Sequence, residues 1–347
     1  MDECMVSWAD LPTEFKSNVA RLLDLKSRNS LQLCSKADWR IVESCPVVLE
    51  RVQISSHYDD FLRKTTIFNL KRSSWNSRKR LVHQEKNLDR KKAIDEIIHI
   101  FKNKHSVVNQ VKIQNGGNME NFMHHLLLRI RNLEMKQRQI VRIRAKEVEW
   151  SGAFRTEYVY FMQFLKYFDI SHLKSIKIES FYMSRDAVER LVATEQFKNA
   201  KEVCIQPMIK LPMDFFLHLD TVEICSSLVK SEDVWKLIKN FQSKQIPNNC
   251  GFTLTSEEQL PPKFKTEVFD FLGIPYYSEE RNNLSNDPEN HIVKFPVYNS
   301  CSCLLVKFDI QSVFGVIAGK DFINKLTIDI SIYMNLRQFG FDWASDL

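Results

Sequence analysis

Apolar residues recur in a strand-like pattern from about residue 106 onward. The unit is a triplet of an aliphatic or aromatic residue, one intervening residue and a second aliphatic residue. Its copies are Val111-Lys112-Ile113, Val141-Arg142-Ile143, Ile176-Lys177-Ile178, Val203-Cys204-Ile205, Val222-Glu223-Ile224 and Phe252-Thr253-Leu254. Each triplet predicts a short strand with one buried face, because alternate side chains of a strand point to opposite sides.

Helix-like stretches separate the triplets. They cover residues 122–130, 158–168, 185–197 and 234–241, and Ser184 and Ser231 are predicted to cap the last two. Alternation of strand and helix at this repeat length predicts parallel strands with helices on one side. The pattern therefore predicts an α/β fold, a leucine-rich-repeat-like solenoid in which each unit buries its apolar face against its neighbours.

The pattern changes after Leu254. Pro261-Pro262 and a polar run at 278–290 interrupt the repeat. From about residue 291, strict alternation returns at residues 293–297, 304–310 and 328–332 and predicts a terminal β segment that caps the solenoid. The aromatic tail at 339–343 is left without a predicted position.

The segment 51–105 is basic, with fourteen Lys or Arg against six Asp or Glu. Its first part shows no clear periodicity and is interpreted as a connecting arm. From Gln84 onward the apolar residues, including Ile94, Ile97 and Phe101, have helical spacing and predict an amphipathic helix. The basic cluster at 63–92 is read either as a solvated helix face and arm or as a nucleic-acid contact.

The first 50 residues predict two or three short helices. A Leu11-Pro12 pair precedes Phe15, Val19, Leu22 and Leu23 at helical spacing, and a second apolar set includes Leu31. These helices carry more apolar surface than so small a unit can bury by itself. They therefore need a partner, inside or outside the chain.

This opening stretch resembles an F-box, a helical module that docks on a Skp-type adaptor of cullin ubiquitin ligases. The family's marks match the Leu-Pro opening at Leu11-Pro12, the acidic position at Glu14, and the Leu-Asp step at Leu23-Asp24. The resemblance implies adaptor binding through Leu11, Pro12, Glu14, Phe15, Val19, Leu22, Leu23, Leu31 and Leu33. It assigns the F-box to residues 1–50.

A second resemblance covers residues 106–347. The string Glu195-Gln196-Phe197-Lys198-Asn199-Ala200-Lys201, with Leu173 to Ile178 before it, is similar to the FTH domain, a domain of unknown function found beside the F-box in nematode proteins. Phe197 stands where tryptophan is more usual. Together the two resemblances imply the substrate-recognition subunit of a Skp/cullin/F-box E3 ubiquitin ligase, partnered by a Skp adaptor, through it a cullin, and a target protein.

The sequence predicts no catalytic site, cofactor or metal. With only 8 glycines it has no glycine-rich nucleotide loop, and its 9 histidines lack metalloprotease spacing. Cys301-Ser302-Cys303 has no second pair at zinc-site spacing. The start shows no signal peptide and no stretch is long enough to span a membrane, so we expect a cytoplasmic or nuclear protein.

Target binding is expected on the strand face opposite the buried triplet positions. The residues predicted to line it are Lys112, Gln114, Arg142, Arg144, Lys177, Glu179, Gln206, Glu223 and Thr255. Two other functions stay open: a repeat-based scaffold outside any ligase, and a nucleic-acid-binding protein using residues 63–92. The identity of the target cannot be inferred from the sequence.

Overall fold

The computed structural model describes residues 7–319 except 24, 59–65, 76–80, 103–105, 115–118, 139, 153–157, 181–182, 210–211, 245–246, 248, 274–291 and 299. The chain forms two compact units, Met1–Pro207 and Met208–Leu347. Both contain helices and strands, so the predicted mixed α/β class is confirmed.

The first unit begins with a short 3-10 helix (Trp8–Asp10) and three helices, α1 (Thr13–Leu22), α2 (Leu25–Gln32) and α3 (Lys36–Ser44). Strands β1 (Val48–Tyr58), β2 (Thr66–Trp75) and β3 (Leu81–Leu88) follow. The remaining elements alternate as α4 (Arg90–Lys102), β4 (Val107–Gln114), α5 (Met119–Gln137), β5 (Ala145–Gly152), α6 (Tyr158–Leu165), β6 (Ser175–Ser180), α7 (Arg185–Val192), α8 (Glu195–Asn199) and β7 (Glu202–Ile209).

The sheet of the first unit has the strand order β3-β2-β1-β4-β5-β6-β7. Strands β1, β4, β5, β6 and β7 are parallel and follow chain order, as alternating strands and helices require. Val111, Val148, Ile176 and Val203 are buried on one face, where Trp150 contacts Phe161 of α6 with ring centroids 5.1 Å apart. The sheet therefore buries its apolar face under the helices.

The second unit contains a 3-10 helix (Met213–Phe216), β8 (Thr221–Ser226), α9 (Ser231–Ser243), β9 (Gly251–Ser256), α10 (Phe264–Leu272), β10 (Ile292–Pro296), β11 (Cys303–Phe308) and β12 (Ser312–Ala318). Strands β8 and β9 are parallel, and β9, β12, β11 and β10 then pair antiparallel in that order. Gly251 and Gly315 allow β9 and β12 to approach closely, since a Cβ on Gly251 would clash with the Gly315 carbonyl oxygen.

Three predicted elements were wrong in place or extent. The expected connecting arm, from residue 51 to about 77, instead contains most of β1 and all of β2. Strand β2 pairs antiparallel with β1 and with β3, and α4 starts at Arg90 rather than near Gln84. The triplet at 141–143 is not a strand: Ile143 forms a single bridge to Phe168, and the strand that pairs with β4 begins at Ala145. The helix expected at 185–197 is split into α7 and α8.

The other triplets lie in strands as predicted, in β4, β6, β7, β8 and β9. Ser184 caps α7 by accepting a hydrogen bond from the Ala187 amide at 3.2 Å, whereas Ser231 is not a cap because α9 begins after Lys230. Strand β12 was not predicted, and β11 ends at Phe308, so that Ile310 is exposed. The alternation at 328–332 and the tail at 339–343 lie outside the described residues.

Candidate protein-interaction surface

The three N-terminal helices have a small apolar interior of their own. Ala20 of α1 packs with Ile41 and Val42 of α3 and with Cys45, and Leu31 of α2 closes this cluster from the side. Each of these four core side chains is at most 7% exposed. The interior is too small to bury the remaining apolar residues of the helices.

Asp38 on α3 anchors the short 3-10 helix Trp8–Asp10. Its carboxylate accepts hydrogen bonds from the indole nitrogen of Trp8 at 2.8 Å and from the Ser35 hydroxyl at 2.7 Å. Ser35 in turn caps α3 by accepting from the Asp38 amide at 3.0 Å. The hydrogen bonds from Ser35 and Trp8 hold the pKa of Asp38 below its ordinary value.

Arg28 on α2 ties the helices to the strand that follows. Its guanidinium donates to three carbonyl oxygens, those of Leu23 (3.1 Å), Arg21 (2.9 Å) and Pro46 (2.6 Å). Arg28 is buried, and this burial lowers its pKa without removing its charge. One side chain thus fixes the end of α1 relative to the residues before β1.

A second link runs from α3 to α4. Glu43 forms an ion pair with Lys102 and lies 3.7 Å from the ring of His99. The Val47 amide also donates to the Ser106 hydroxyl at 3.0 Å, immediately before β4. The N-terminal helices are therefore anchored along one side, through α3 and its exit into β1.

The opposite side of α1 carries apolar residues that face solvent. Phe15, Val19 and Leu22 lie on one helix face, because they are four and three residues apart, and we call them the α1 stripe. Phe15 is 52% and Leu22 86% exposed, while Val19 is half-buried. Ala20, which packs into the core, lies on the other side of the helix.

The remaining predicted adaptor residues are divided between surface and interior. Pro12, Glu14 and Leu33 are exposed, Leu11 and Leu23 are half-buried, and Leu31 packs against the internal cluster. Trp39 of α3 is 48% exposed and was not predicted as a surface residue. The sequence signal that could have indicated Trp39 was the Ser35-x-x-Asp38-Trp39 run, which is typical of the start of a capped helix.

The predicted target-binding residues Lys112 and Gln114 of β4 and Lys177 of β6 are engaged by side chains of neighbouring strands. The register aligns Gln53, Lys112, Glu149, Lys177 and Cys204 across five parallel strands. Lys112 forms an ion pair with Glu149, and Lys177 lies 3.1 Å from Glu147. Burial acts to lower the pKa of Lys177, but Glu147 and Glu149 outweigh it and raise that pKa above the ordinary value.

Glu149 was missed by the sequence analysis although it is the most buried acid of this face, 5% exposed. It accepts hydrogen bonds from both Lys112 and Gln110, the latter at 3.0 Å. Gln114 is likewise held, by a hydrogen bond from Gln53 at 2.6 Å. The charges at the centre of the face are thus mutually neutralised.

The other predicted target residues do not form one group. Arg142 and Arg144 precede β5 and lie near Glu134 (3.9 Å) and Asp169 (3.7 Å), respectively. Gln206 of β7 and Glu223 of β8 are exposed, whereas Glu179 of β6 and Thr255 of β9 are half-buried. Glu223 and Thr255 belong to the second unit, and the other seven residues belong to the first.

Candidate metal ligands lie apart from one another in the described residues. Within them, no group of three or more His, Cys, Asp or Glu side chains could hold a metal ion. Cys301 is exposed and Cys303 half-buried, and both are free thiols. No helix in the described part of the chain is long and apolar enough to cross a membrane.

Comparison with known proteins identifies the central part of the chain. The search of curated proteins found no match. The family model of the FTH domain matches residues 130–272, which run from α5 to the end of α10. The resemblance noted at Leu173–Ile178 and Glu195–Lys201 lies inside this range and is confirmed, and this part of the chain is similar to the FTH domain.

Proposed function

We propose that the protein is the substrate-recognition subunit of a Skp/cullin/F-box E3 ubiquitin ligase. In this proposal the N-terminal helices are an F-box that binds a Skp adaptor, and the FTH domain holds a target protein. The match to the FTH domain supports the proposal, because that domain is found beside the F-box in nematode proteins. The chain would act without an active site, in the cytoplasm or nucleus.

One observation carries the proposal: the α1 stripe faces solvent. A helix of a small unit normally turns its apolar face inward, yet α1 packs through Ala20 and exposes Phe15 and Leu22. Burying each of these side chains in an interface would contribute roughly 1.5–3 kcal/mol. Leu33 and Trp39 are further exposed apolar side chains of the same N-terminal segment, and side chains of this kind suit a partner's hydrophobic groove.

The parallel strands support the second half of the proposal. We interpret β1 and β4 to β7 with their helices as a leucine-rich-repeat-like solenoid, and β10 to β12 as its terminal β cap. The exposed polar residues of the solenoid would hold the target near the ubiquitin-charged enzyme. Tethering raises the effective concentration of target lysines and needs no chemistry from this chain.

The test is co-purification of the full chain with a Skp adaptor. A Phe15→Ala/Leu22→Ala variant should bind the adaptor about tenfold more weakly or worse, since each 1.4 kcal/mol lost is a factor of ten. Its melting temperature should stay near that of the native chain, because both side chains are exposed. A Leu11→Ala/Pro12→Ala variant should also bind more weakly.

The matched control removes exposed apolar side chains elsewhere in the same unit. Met135 is 72% and Ile140 66% exposed, and neither belongs to the N-terminal helices. Met135→Ala/Ile140→Ala should leave adaptor binding unchanged. If the native chain does not bind the adaptor, or if the α1 variant binds as well as the control, the F-box assignment is wrong.

A further inference from the structure

Three lysines stand side by side where parallel strands β5, β6 and β7 begin. The register pairs Glu147 with Ser175 and Ser175 with Glu202, so the residues just before them, Lys146, Lys174 and Lys201, are neighbours. The Lys174 amide donates to the Lys146 carbonyl at 2.7 Å and the Lys201 amide to the Lys174 carbonyl at 2.8 Å. All three residues are exposed, and we call them the lysine row.

The lysine row differs from the lysines at the centre of the sheet. Lys112 and Lys177 are paired with Glu149 and Glu147. Within the described residues, neither Lys146 nor Lys174 has a carboxylate within 4.0 Å of its ammonium group. The sheet thus neutralises Lys112 and Lys177 at its centre and leaves the ammonium groups of Lys146 and Lys174 without a carboxylate partner among the described residues.

The row is a local feature of a neutral region. Residues 106–347 hold 29 Lys or Arg and 29 Asp or Glu. Neighbouring strands lie about 4.8 Å apart, so the three positions span only about 10 Å. Like charges this close repel one another.

We propose that the lysine row binds a short acidic segment of a polypeptide. Alternate side chains of an extended peptide are about 6.8 Å apart, so two or three carboxylates can reach ammonium groups spread over this distance. A nucleic-acid strand fits less well, because its charged backbone must pass Glu202 and Asp169, the acids next to the row. The backbone of a peptide is neutral, and its carboxylate side chains can turn away from these acids.

The inference deepens the proposed function. It rests on that proposal for one statement, that the acidic segment belongs to the recruited target. It also moves the expected contact. The sequence placed target binding on the central polar residues, but Lys112 and Lys177 already have internal partners. At the edge of the sheet, Lys146 and Lys174 are cations that a partner can neutralise.

The experiment measures binding of a fluorescent octaglutamate peptide to the full chain by anisotropy at low salt. The native chain should bind, and added NaCl should weaken the binding, because exposed ion pairs are screened. Lys146→Gln/Lys174→Gln should raise the Kd about tenfold. A Lys136→Gln/Lys239→Gln control removes the same charge from exposed positions on α5 and α9 that do not belong to the row, and should change the Kd less than about twofold.

Two further arms make the result decisive. A Lys146→Glu/Lys174→Glu variant should lose octaglutamate binding and bind octalysine instead, which a merely structural role of these residues would not produce. A dT20 oligonucleotide should bind the native chain more weakly than the peptide. Equal loss in the row variant and the control, or tighter row-dependent binding of dT20, would overturn the inference; neither outcome affects the adaptor test, which uses a different surface.

Discussion

Two glutamates each follow a buried valine in a strand, but their surroundings differ. Glu149 follows Val148 in β5, and Glu223 follows Val222 in β8. Glu149 is buried between Lys112 and Gln110, whereas Glu223 is exposed. The difference comes from the neighbouring strands, because Lys112 of β4 and Lys177 of β6 are aligned with Glu149 on its two sides.

This difference predicts unequal effects of the same substitution. Glu149→Ala leaves the ammonium group of Lys112 without its carboxylate partner, while the amide of Gln110 keeps Glu147 as an acceptor at 2.6 Å. The substitution should lower the free energy of unfolding by about 3 kcal/mol. Glu223→Ala removes an exposed side chain and should change it by less than about 0.5 kcal/mol. Urea denaturation of both variants checks this; equal losses would contradict the assigned role of Glu149.

Leu31 and Leu33 show where residue-level prediction from sequence stops. Both were predicted to bind the adaptor, yet Leu31 packs on the internal cluster while Leu33, just after the end of α2, is 87% exposed. Spacing places apolar residues on helix faces but does not show which face the neighbouring helices cover. That choice depends on how α2 and α3 pack.

At the scale of elements, strands with an alternating apolar core were predictable and polar strands were not. Triplets such as Val111–Ile113 and Ile176–Ile178 mark β4 and β6 correctly. Strand β2 contains the run Asn69-Leu70-Lys71-Arg72-Ser73-Ser74, which lacks that alternation. It is a strand because β1 and β3 supply hydrogen bonds on its two sides, a non-local effect that overrides propensity.

Helix caps give a prediction at the same scale. Ser184 and Ser231 both precede helical patterns, but only Ser184 accepts a hydrogen bond from the backbone of its own helix. Ser184→Ala should therefore lower the free energy of unfolding by about 1 kcal/mol. Ser231 instead donates to Glu267 at an exposed site.

Ser231→Ala is the matched control for this prediction. It should cost less than about 0.5 kcal/mol, because it removes one exposed hydrogen bond and no cap. Thermal and urea unfolding of the two variants give the comparison. A larger loss for Ser231→Ala than for Ser184→Ala would show that the cap assignment is wrong.

At the scale of the whole molecule, the proposed adaptor surface and the lysine row should act independently. The adaptor surface belongs to α1, whereas the lysine row lies at the starts of β5, β6 and β7. The two share no hydrogen-bond partner within the described residues. Phe15→Ala/Leu22→Ala should then leave octaglutamate binding within about twofold of native, and Lys146→Gln/Lys174→Gln should leave adaptor binding unchanged.

A variant combining all four substitutions tests this directly. Its two losses, expressed as free energies, should equal those of the separate double variants, because independent sites are additive within about 0.5 kcal/mol. Anisotropy and adaptor co-purification on the same protein preparation provide both readouts. A marked loss of adaptor binding caused by the lysine substitutions alone would contradict independence.

The sequence by itself determined the mixed α/β class, the parallel strands of the repeated region and the FTH resemblance, because these depend on periodicity and on local residue strings. Tertiary structure alone decided the meander of β1 to β3, the burial of Glu149, the exposure of Phe15 and Leu22, and the alignment of Lys146 with Lys174. These features arise from pairing and packing between residues distant in the chain, which no local pattern records.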